Sequence, residues 1–353
     1  MKKMIFFCAI CFSMLFTNAY AIECEIVMDA DSGRVLYGKN EHEKKLIAST
    51  TKIMTSLVVL NNVRLKDEVI VGDEVLDAYG SSIYIKPKEK LTVEDLLYGL
   101  ILRSGNDAAM SLAVYTAGSM EAFASLMNET AASIGMNDTI FENSHGLDDE
   151  TKNYSTAYDM ALLMRESMKS KKFRQIAQTK KYSLKTNFNT YEWINKNKLL
   201  NNYKYATGGK TGYTTLARHT FVSSATKDEK NLIIVTFVDA DRFNTHKKLY
   251  EKYFEKYEKY ILIDKNRLNI DYKKGYKLFT TESFSMLLRK DEIDKVNREI
   301  VLYKNIEVDD KASVVGTISI SLDGKVYKKL NIYAENNKNK KGLWSLIKEL
   351  FKW

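Results

Sequence analysis

Two kinds of hydrophobic periodicity divide this sequence, and their order along the chain is its strongest constraint on the fold. Between about residues 48 and 170, apolar residues recur at helical spacing, as in Ile53, Leu57 and Leu60. After residue 220, the chain changes to short runs of β-branched and aromatic residues. Near the amino terminus, apolar residues flank the turn sequence Asp31-Ser32-Gly33 and predict a hairpin. A mixed α/β (α+β) fold is therefore expected.

The individual elements follow from the same patterns. Beyond about residue 263 the alternating runs predict a small all-β domain. Helices are expected at about 48–60, 92–100, 107–118, 121–134, 156–170 and 246–259. Strands are expected within 25–37 and at 220–226, 232–238, 276–280, 284–288, 300–302, 314–321 and 325–334.

The amino terminus has the features of a secretory signal over residues 1–21. Lys2 and Lys3 precede the apolar run Met4–Phe16, and Ala19-Tyr20-Ala21 forms a small-x-small cleavage site. An uncleaved anchor is the alternative, although a membrane span needs about 20 apolar residues. Cleavage would leave Cys24 as the only thiol, so an exported protein without an internal disulfide is expected.

The carboxyl terminus, residues 342–353, is predicted to form an amphipathic helix. At about 100° per residue, its seven apolar side chains fall within one half-circle, and three lysines precede it at 338, 340 and 341. Two tryptophans and basic flanks favour a helix in the membrane interface, and docking on its own domain is the alternative. The formal charge of +9 is a mild excess, which permits an anionic membrane or wall polymer as a partner but does not indicate nucleic acid.

Three short motifs carry residues suited to catalysis. Ser49-Thr50-Thr51-Lys52 places a hydroxyl and an amine one helical turn apart, and Ser104-Gly105-Asn106 interrupts a predicted helix. Lys210-Thr211-Gly212 lies just before the predicted hairpin, where Gly212 would let a substrate backbone approach closely. The Ser-x-x-Lys pattern is weak alone, but the ordered set of three is a known catalytic signature. A phosphate-binding loop ending in Gly209-Lys210-Thr211 would need glycine at position 204, which is lysine.

The motifs and the sequence around them resemble the serine D-alanyl-D-alanine carboxypeptidases of the low-molecular-mass penicillin-binding proteins. The likeness covers roughly residues 24–260, and more faintly the β domain. The segments that carry it are Ile47–Thr55, Leu91–Ala109, Asn143–Asp149, Tyr154–Ala161 and Gly209–Thr214.

The resemblance implies a β-lactamase/transpeptidase-like catalytic domain followed by a small all-β domain. The expected division is a signal at 1–21, a catalytic domain at 22–262, a β domain at 263–335, and a basic tether with an anchoring helix at 336–353.

A serine hydroxyl needs a base to become a good nucleophile, and the four histidines form no recognisable triad motif. Lys52 can be that base if burial and the nearby charge of Lys210 lower its pKa. Ser49 is accordingly expected to be the nucleophile, Ser104 to relay a proton to the leaving amine, and Asn106 to orient Lys52 and the substrate amide.

The resemblance also assigns the substrate-binding residues. Lys210 and Thr211 would hold the terminal carboxylate of the peptide, and the backbone N–H groups of Ser49 and Tyr213 would form the oxyanion hole. Arg242 lies at about the distance along the chain where the family has an arginine near that carboxylate, and a solvated surface arginine is its alternative.

The implied reaction is acyl transfer from the penultimate D-Ala of a peptidoglycan stem peptide, with β-lactams as inhibitors and no metal or other cofactor. A DD-endopeptidase, a β-lactamase with the same Ser-Lys pair, and a catalytically silent wall-binding protein remain possible. The expected location is the outer face of the cytoplasmic membrane or the cell wall space.

Overall fold

The computed structural model of the protein describes residues 22–265, 268, 270, 276–303 and 312–336. The predicted signal at 1–21 and the predicted anchoring helix at 342–353 both lie outside these residues. In the part of the chain that the structure describes, no helix is long and apolar enough to cross a bilayer.

The predicted helices and strands occur in the expected order, but the structure also contains elements that the periodicity did not predict, several of them between residues 171 and 214. The helices are α1 (Lys52–Asn62), α2 (Val93–Tyr98), α3 (Asn106–Ala117), α4 (Met120–Ser133), α5 (Ala157–Ser167), α6 (Lys171–Gln178), α7 (Leu199–Asn202) and α8 (Arg242–Lys256). The strands are β1 (Cys24–Asp29), β2 (Val35–Lys39), β3 (Lys45–Leu46), β4 (Glu68–Ile70), β5 (Lys90–Thr92), β6 (Tyr154–Ser155), β7 (Lys181–Lys185), β8 (Thr190–Ile194), β9 (Ala206–Thr214), β10 (Arg218–Lys227), β11 (Lys230–Phe237), β12 (Glu258–Ile263), β13 (Tyr276–Phe279), β14 (Phe284–Leu288), β15 (Val296–Leu302), β16 (Ser313–Leu322) and β17 (Lys325–Asn336).

A five-stranded antiparallel sheet lies between two layers of helices. Its strand order is β2-β1-β11-β10-β9, so the amino-terminal hairpin pairs with the late strand β11. All six residues of β1 are buried, because Ile26 and Met28 face the core that contains α1 and α5, whereas Val27 faces α8. Because the strand is covered on both faces, its three central residues, Ile26–Met28, are all apolar.

The predicted all-β domain is confirmed in the chain beyond α8. A four-stranded sheet has the order β13-β17-β16-β15, and β12 pairs with β14 beside it. These strands enclose a separate apolar core, which includes Phe284, Met286, Ile318 and Ile332.

The last predicted helix has different bounds in the structure. We expected 246–259, but α8 begins at Arg242 and ends at Lys256. Phe243 in its first turn packs against Phe221 of β10 with the ring centroids 5.2 Å apart, which favours the earlier start. The chain leaves the helix because Glu258–Ile263 pairs with β14, a contact that local spacing does not encode.

A buried ion pair ties the small β domain to the central sheet. The Arg34 guanidinium, just before β2, contacts both carboxylate oxygens of Glu292 at 2.6 and 3.0 Å and donates to the Leu287 carbonyl at 3.0 Å. In return, the Leu287 N–H donates to the Asp29 carboxylate at 3.0 Å. These paired contacts fix the position of β14 against the turn that follows β1.

Replacing Arg34 with methionine should destabilise the protein by about 3 kcal/mol, because the buried Glu292 carboxylate loses two charge-assisted hydrogen bonds. Denaturant unfolding of the purified protein measures this change. Arg298→Met, on the exposed face of β15, is the matched control and should stay within about 0.5 kcal/mol of the wild type. Equal unfolding midpoints for the two variants would show that the ion pair adds no stability.

Candidate active site

The first motif lies at the start of α1. Ala48–Thr51 forms a 3₁₀ turn that leads into α1. Ser49 and Lys52, which are three residues apart in sequence, are therefore separated by about one helical turn. The Lys52 Nζ lies 3.1 Å from the Ser49 Oγ. The spacing of the motif therefore brings the hydroxyl and the amine into hydrogen-bond contact, as predicted.

The Lys52 amine is fully buried and has three close neighbours. Besides Ser49, it contacts the Asn106 Oδ1 at 2.7 Å and the His145 carbonyl oxygen at 2.6 Å. Burial lowers the pKa of Lys52 well below its usual value, and the positive charges of Lys210 and Lys196 lower it further.

A neutral amine has two N–H donors and one lone pair. Asn106 and His145 present oxygens that can only accept, so they take both N–H groups of Lys52. The lone pair is then directed to the Ser49 hydroxyl, the one neighbour that can donate. Lys52 is thus placed to accept the Ser49 proton.

The second motif is a break between two helices. The turn Gly99–Arg103 is a π-helix, and Ser104 then adopts the left-handed conformation with a φ of 66°. The helical path resumes at Asn106, the first residue of α3. This break turns the Ser104 hydroxyl and the Asn106 amide toward the other two motifs, with the Ser104 Oγ 3.1 Å from the Lys210 Nζ.

The third motif precedes the β10–β11 hairpin, as expected, but it lies in a strand of its own, which the sequence did not predict. Lys210, Thr211 and Gly212 belong to β9, where they pair with Val222, Phe221 and Thr220 of β10. The run of glycines around the motif lowers its β-propensity, so the sequence alone does not indicate this edge strand.

Gly212 also makes room for the turn that carries Ser49. A Cβ at this position would lie 2.4 Å from the Thr220 Oγ1 and 2.9 Å from the Ser49 nitrogen. Its missing side chain therefore allows β9 to pass directly against the nucleophile turn. The next residue, Tyr213, is exposed, and its ring packs on His219 with centroids 4.6 Å apart.

The loop over residues 143–153 supports the site from below. Thr55 of α1 donates to the Ser144 carbonyl at 2.5 Å, and Asn153 donates to the Thr51 Oγ1 at 3.0 Å. Gly146 has a φ of 87°, and a Cβ there would overlap the Ala48 carbonyl oxygen at 2.0 Å. The direct contact of the His145 carbonyl with Lys52 could not be read from the sequence.

Arg242 lies at the outer end of the cleft, at the start of α8. Its guanidinium packs over the Phe243 ring at 4.7 Å, and its positive charge helps to lower the pKa of His219. Among the described residues, no hydrogen bond or ion pair joins Arg242 to any residue of the three motifs.

The structure also brings an unpredicted cation to the cleft. Lys196 follows β8 and donates from Nζ to the Ser81 Oγ at 3.0 Å. Its charge lowers the pKa of both catalytic-site lysines. No sequence motif marks this residue, because it reaches the cleft only through the hairpin of β7 and β8. In strand β8 of that hairpin, Tyr191 and Trp193 are buried.

Lys210 is as buried as Lys52, and burial lowers its pKa to about 7. The unfolded state binds the Lys210 proton more tightly than the folded state does, because the pKa of Lys210 is lower in the folded state. The burial of Lys210 therefore costs stability, in full below pH 7, and this cost disappears as the pH rises toward 10.5.

Lys210→Met should therefore stabilise the fold at pH 7 while weakening substrate binding. The stability difference from the wild type should shrink by about 1.4 kcal/mol per pH unit above neutrality. Denaturant unfolding at several pH values measures it, with Lys171→Met on the exposed face of α6 as the control. A pH-independent difference would contradict the buried, neutral state of Lys210.

The three motifs together form a site of the serine hydrolase type, in which the Lys52 amine lies beside the Ser49 hydroxyl. Among the described residues, no cluster of His, Cys, Asp or Glu side chains is arranged to hold a metal ion.

Comparison with known proteins agrees with this class. Residues 17–241 match the D-alanyl-D-alanine carboxypeptidase family, and residues 248–340 match the C-terminal domain of penicillin-binding protein 5. The chain is 32% identical to the D-alanyl-D-alanine carboxypeptidase DacF of Bacillus subtilis, over 94% of this chain and 89% of the relative. It is 33% identical to DacC of Escherichia coli, over 91% and 85%.

A solved structure shares both domains. Penicillin-binding protein 5 from Haemophilus influenzae superimposes with a TM-score of 0.73 at 28% identity, covering 89% of this chain and 96% of that one. The chain belongs to the serine D-alanyl-D-alanine carboxypeptidase family of penicillin-binding proteins. It is a hydrolase of cell-wall peptides, as the sequence predicted.

Proposed function

We propose that Ser49 is the nucleophile of this carboxypeptidase and that Lys52 is its general base. The observation that carries the proposal is the set of three contacts to the Lys52 amine. Two acceptors occupy its N–H groups and leave its lone pair for the Ser49 proton. General base catalysis of this kind contributes about 10²- to 10⁴-fold to a rate.

The reaction begins when Ser49 attacks the carbonyl carbon of the penultimate D-Ala. The Ser49 proton passes to Lys52, and the negative charge on the carbonyl oxygen is stabilised by the N–H groups of Ser49 and Tyr213. The C–N bond then breaks, and terminal D-Ala leaves with a proton relayed by Ser104. A water molecule hydrolyses the ester on Ser49 and regenerates the hydroxyl.

The remaining motif residues bind the substrate. Lys210 and Thr211 hold the terminal carboxylate, and Gly212 lets the edge of β9 lie along the peptide. A carboxylate next to Lys210 favours the charged ammonium and so raises the pKa of that lysine on binding. Arg242 attracts the same carboxylate from the outer end of the cleft.

A labelling experiment tests these assignments. The purified protein is incubated with fluorescent penicillin, digested and analysed by mass spectrometry, and D-Ala release from a synthetic pentapeptide is measured in parallel. We expect one penicilloyl group on the peptide that contains Ser49, together with D-Ala release that penicillin blocks. An adduct on another residue, or no adduct, would refute the assignment.

A β-lactamase activity has less support. Residues 141–149, the region that corresponds to the β-lactamase loop, contain one glutamate, Glu142, which is exposed and accepts the Lys152 N–H at 2.6 Å. A class A β-lactamase needs a loop glutamate that activates the deacylating water. Slow release of bound penicillin is therefore expected, and rapid turnover would favour the β-lactamase.

A silent wall-binding protein and a DD-endopeptidase would each give a different result in these assays. The silent protein would form no penicilloyl group and release no D-Ala. The endopeptidase would cleave cross-linked dimers faster than the pentapeptide, so both substrates are assayed side by side.

Residues 1–21 are proposed to direct export, so that the enzyme acts outside the cytoplasm. Residues 342–353 are proposed to bind the membrane surface through tryptophan and leucine side chains, aided by the lysines before them. We also retain the proposed domain limits of 22–262 and 263–335.

Deletion of residues 342–353 should move the mature protein from the membrane to the soluble fraction, because the apolar face of the helix is lost. Cell fractionation measures the partition, and D-Ala release in solution should stay unchanged. A second variant replaces Lys348 and Lys352 with glutamate, and it should bind anionic vesicles more weakly than the wild type does. An unchanged partition after the deletion would contradict the anchor.

A further inference from the structure

The buried carboxylate of Asp107 accepts hydrogen bonds from the backbone N–H groups of residues 83–85, more than 20 positions earlier in the chain. It accepts from the N–H groups of Ile83 at 3.0 Å, Tyr84 at 2.7 Å and Ile85 at 3.3 Å. It also accepts from the adjacent Ala108 N–H at 2.9 Å. The mechanism proposed above gives this carboxylate no role.

The segment that Asp107 holds is conformationally strained. Tyr84 has a φ of 64°, which costs a side-chain-bearing residue about 1 kcal/mol or more. Its side chain is 77% exposed, so packing of the ring does not offset that cost. The hydrogen bonds to the Asp107 carboxylate are therefore what stabilises this backbone conformation.

The same segment fixes the amide of Asn106. The Tyr79 carbonyl accepts from the Asn106 Nδ2 at 2.6 Å, and the Ser81 carbonyl accepts from the Asn106 backbone N–H at 2.7 Å. Because the Nδ2 side of the amide is occupied by Tyr79, the Oδ1 side faces the Lys52 amine. Movement of the segment would let this amide turn or shift.

We propose that Asp107 is a positioning residue for catalysis, which clamps residues 79–85 so that the Asn106 amide keeps its oxygen on the Lys52 amine. This inference rests on the roles proposed above for Ser49, Lys52 and Asn106. Asp107 also lies in the first turn of α3, and a purely helix-stabilising acid there would affect the folding free energy alone.

Asp107→Asn keeps the side-chain shape but turns one acceptor into a donor that faces N–H groups. We expect the rate of acylation by penicillin to fall by about 100-fold, since small misplacement of a catalytic group has that effect. The pH profile separates the positioning effect from the loss of the Asp107 charge, because the charge moves the acid limb, whereas a misplaced Asn106 lowers the rate on the plateau above that limb. The groups that act on Lys52 are the cations Lys210 and Lys196, the carboxylate of Asp107, and the His145 imidazole, whose pKa of about 3 keeps it neutral. Asp107 is the acid that raises the pKa of Lys52, so the acid limb should move to lower pH.

Two further variants keep the test decisive. Asp159→Asn is the matched control, since Asp159 is also buried in the first turn of a helix and accepts from Asp138 and Thr139 away from the cleft. It should acylate at the wild-type rate. Gly80→Ala would place a Cβ 3.2 Å from the Asn106 Nδ2, at a φ of 77°, and should slow acylation without moving the acid limb.

Rates are compared per folded molecule, from melting curves and active-site titration. The proposal fails if, on the plateau above the acid limb, Asp107→Asn acylates as fast as Asp159→Asn. If Asp107→Asn does not fold, a wild-type rate for Gly80→Ala overturns the proposal. Absence of a penicilloyl group on Ser49 in the wild type would instead refute the proposed function.

Discussion

Ser49→Ala should abolish the covalent penicillin adduct and reduce D-Ala release by about 10⁶-fold, to the level left by substrate binding and oxyanion stabilisation. The substitution removes the oxygen that forms the ester and leaves the other motifs unchanged. Lys52 keeps its contacts with Asn106 and His145, so the fold should lose no more than about 1 kcal/mol. Gel fluorescence and a D-Ala assay measure the two activities.

Ser111→Ala is the matched control for this change. Ser111 lies in α3, and its buried hydroxyl has no hydrogen-bond partner among the described residues. Its loss should leave labelling and D-Ala release unchanged. Labelling of Ser49→Ala at the wild-type rate would mean that another residue carries the acyl group. Binding of the pentapeptide should persist in the Ser49 variant, and calorimetry can check this.

Lys52→Met should slow acylation by about 10⁴-fold, because Ser49 loses the base that accepts its proton. Methionine has a similar length and needs no desolvation of a charge, which favours folding. The Asn106 and His145 oxygens lose a donor, at a cost of about 1–3 kcal/mol each. Because the buried amine is also removed, the two effects on stability oppose each other, and the loss of activity should exceed the net change in stability. Stopped-flow fluorescence with labelled penicillin measures the rate.

Lys52→Arg distinguishes the loss of the general base from the loss of the positive charge. Arginine stays protonated in proteins, so this variant should be as slow as Lys52→Met despite its positive charge. In the wild type, the rate should increase as the pH rises through the lowered pKa of Lys52, because only the neutral amine accepts a proton. Both variants should lose that acid limb. A variant that keeps both the rate and the limb would assign the base to another group.

The sequence was most informative where structure depends on nearby residues. The helical spacing around Ile53 and the capping hydroxyl of Thr92 predict α1 and α2, since both patterns act within one or two turns. The contact between Ser49 and Lys52 has the same origin. The β10–β11 hairpin before α8 was also predicted. The neighbouring strand β9 was not, because a glycine-rich edge strand exists only by pairing with β10.

The geometry of the active site depends on contacts between segments that are far apart in the sequence. Asn106 and the His145 carbonyl reach Lys52 across 54 and 93 positions of the chain. Resemblance to a family placed Asn106 in the mechanism, but no local pattern revealed that a backbone carbonyl completes the set. Lys196 and Asp107 were missed for the same reason, since each acts through another segment that packs against it.

The sequence by itself determined the chemical groups, their order, and the division into a mixed α/β part and a β part. These properties depend on residue type and on periodicity, which are local. Only the tertiary structure decided the ionisation of the two lysines, because a pKa depends on burial and on charges brought near by folding. The same holds for the direction of the Lys52 lone pair, which is fixed by acceptors from two other segments of the chain.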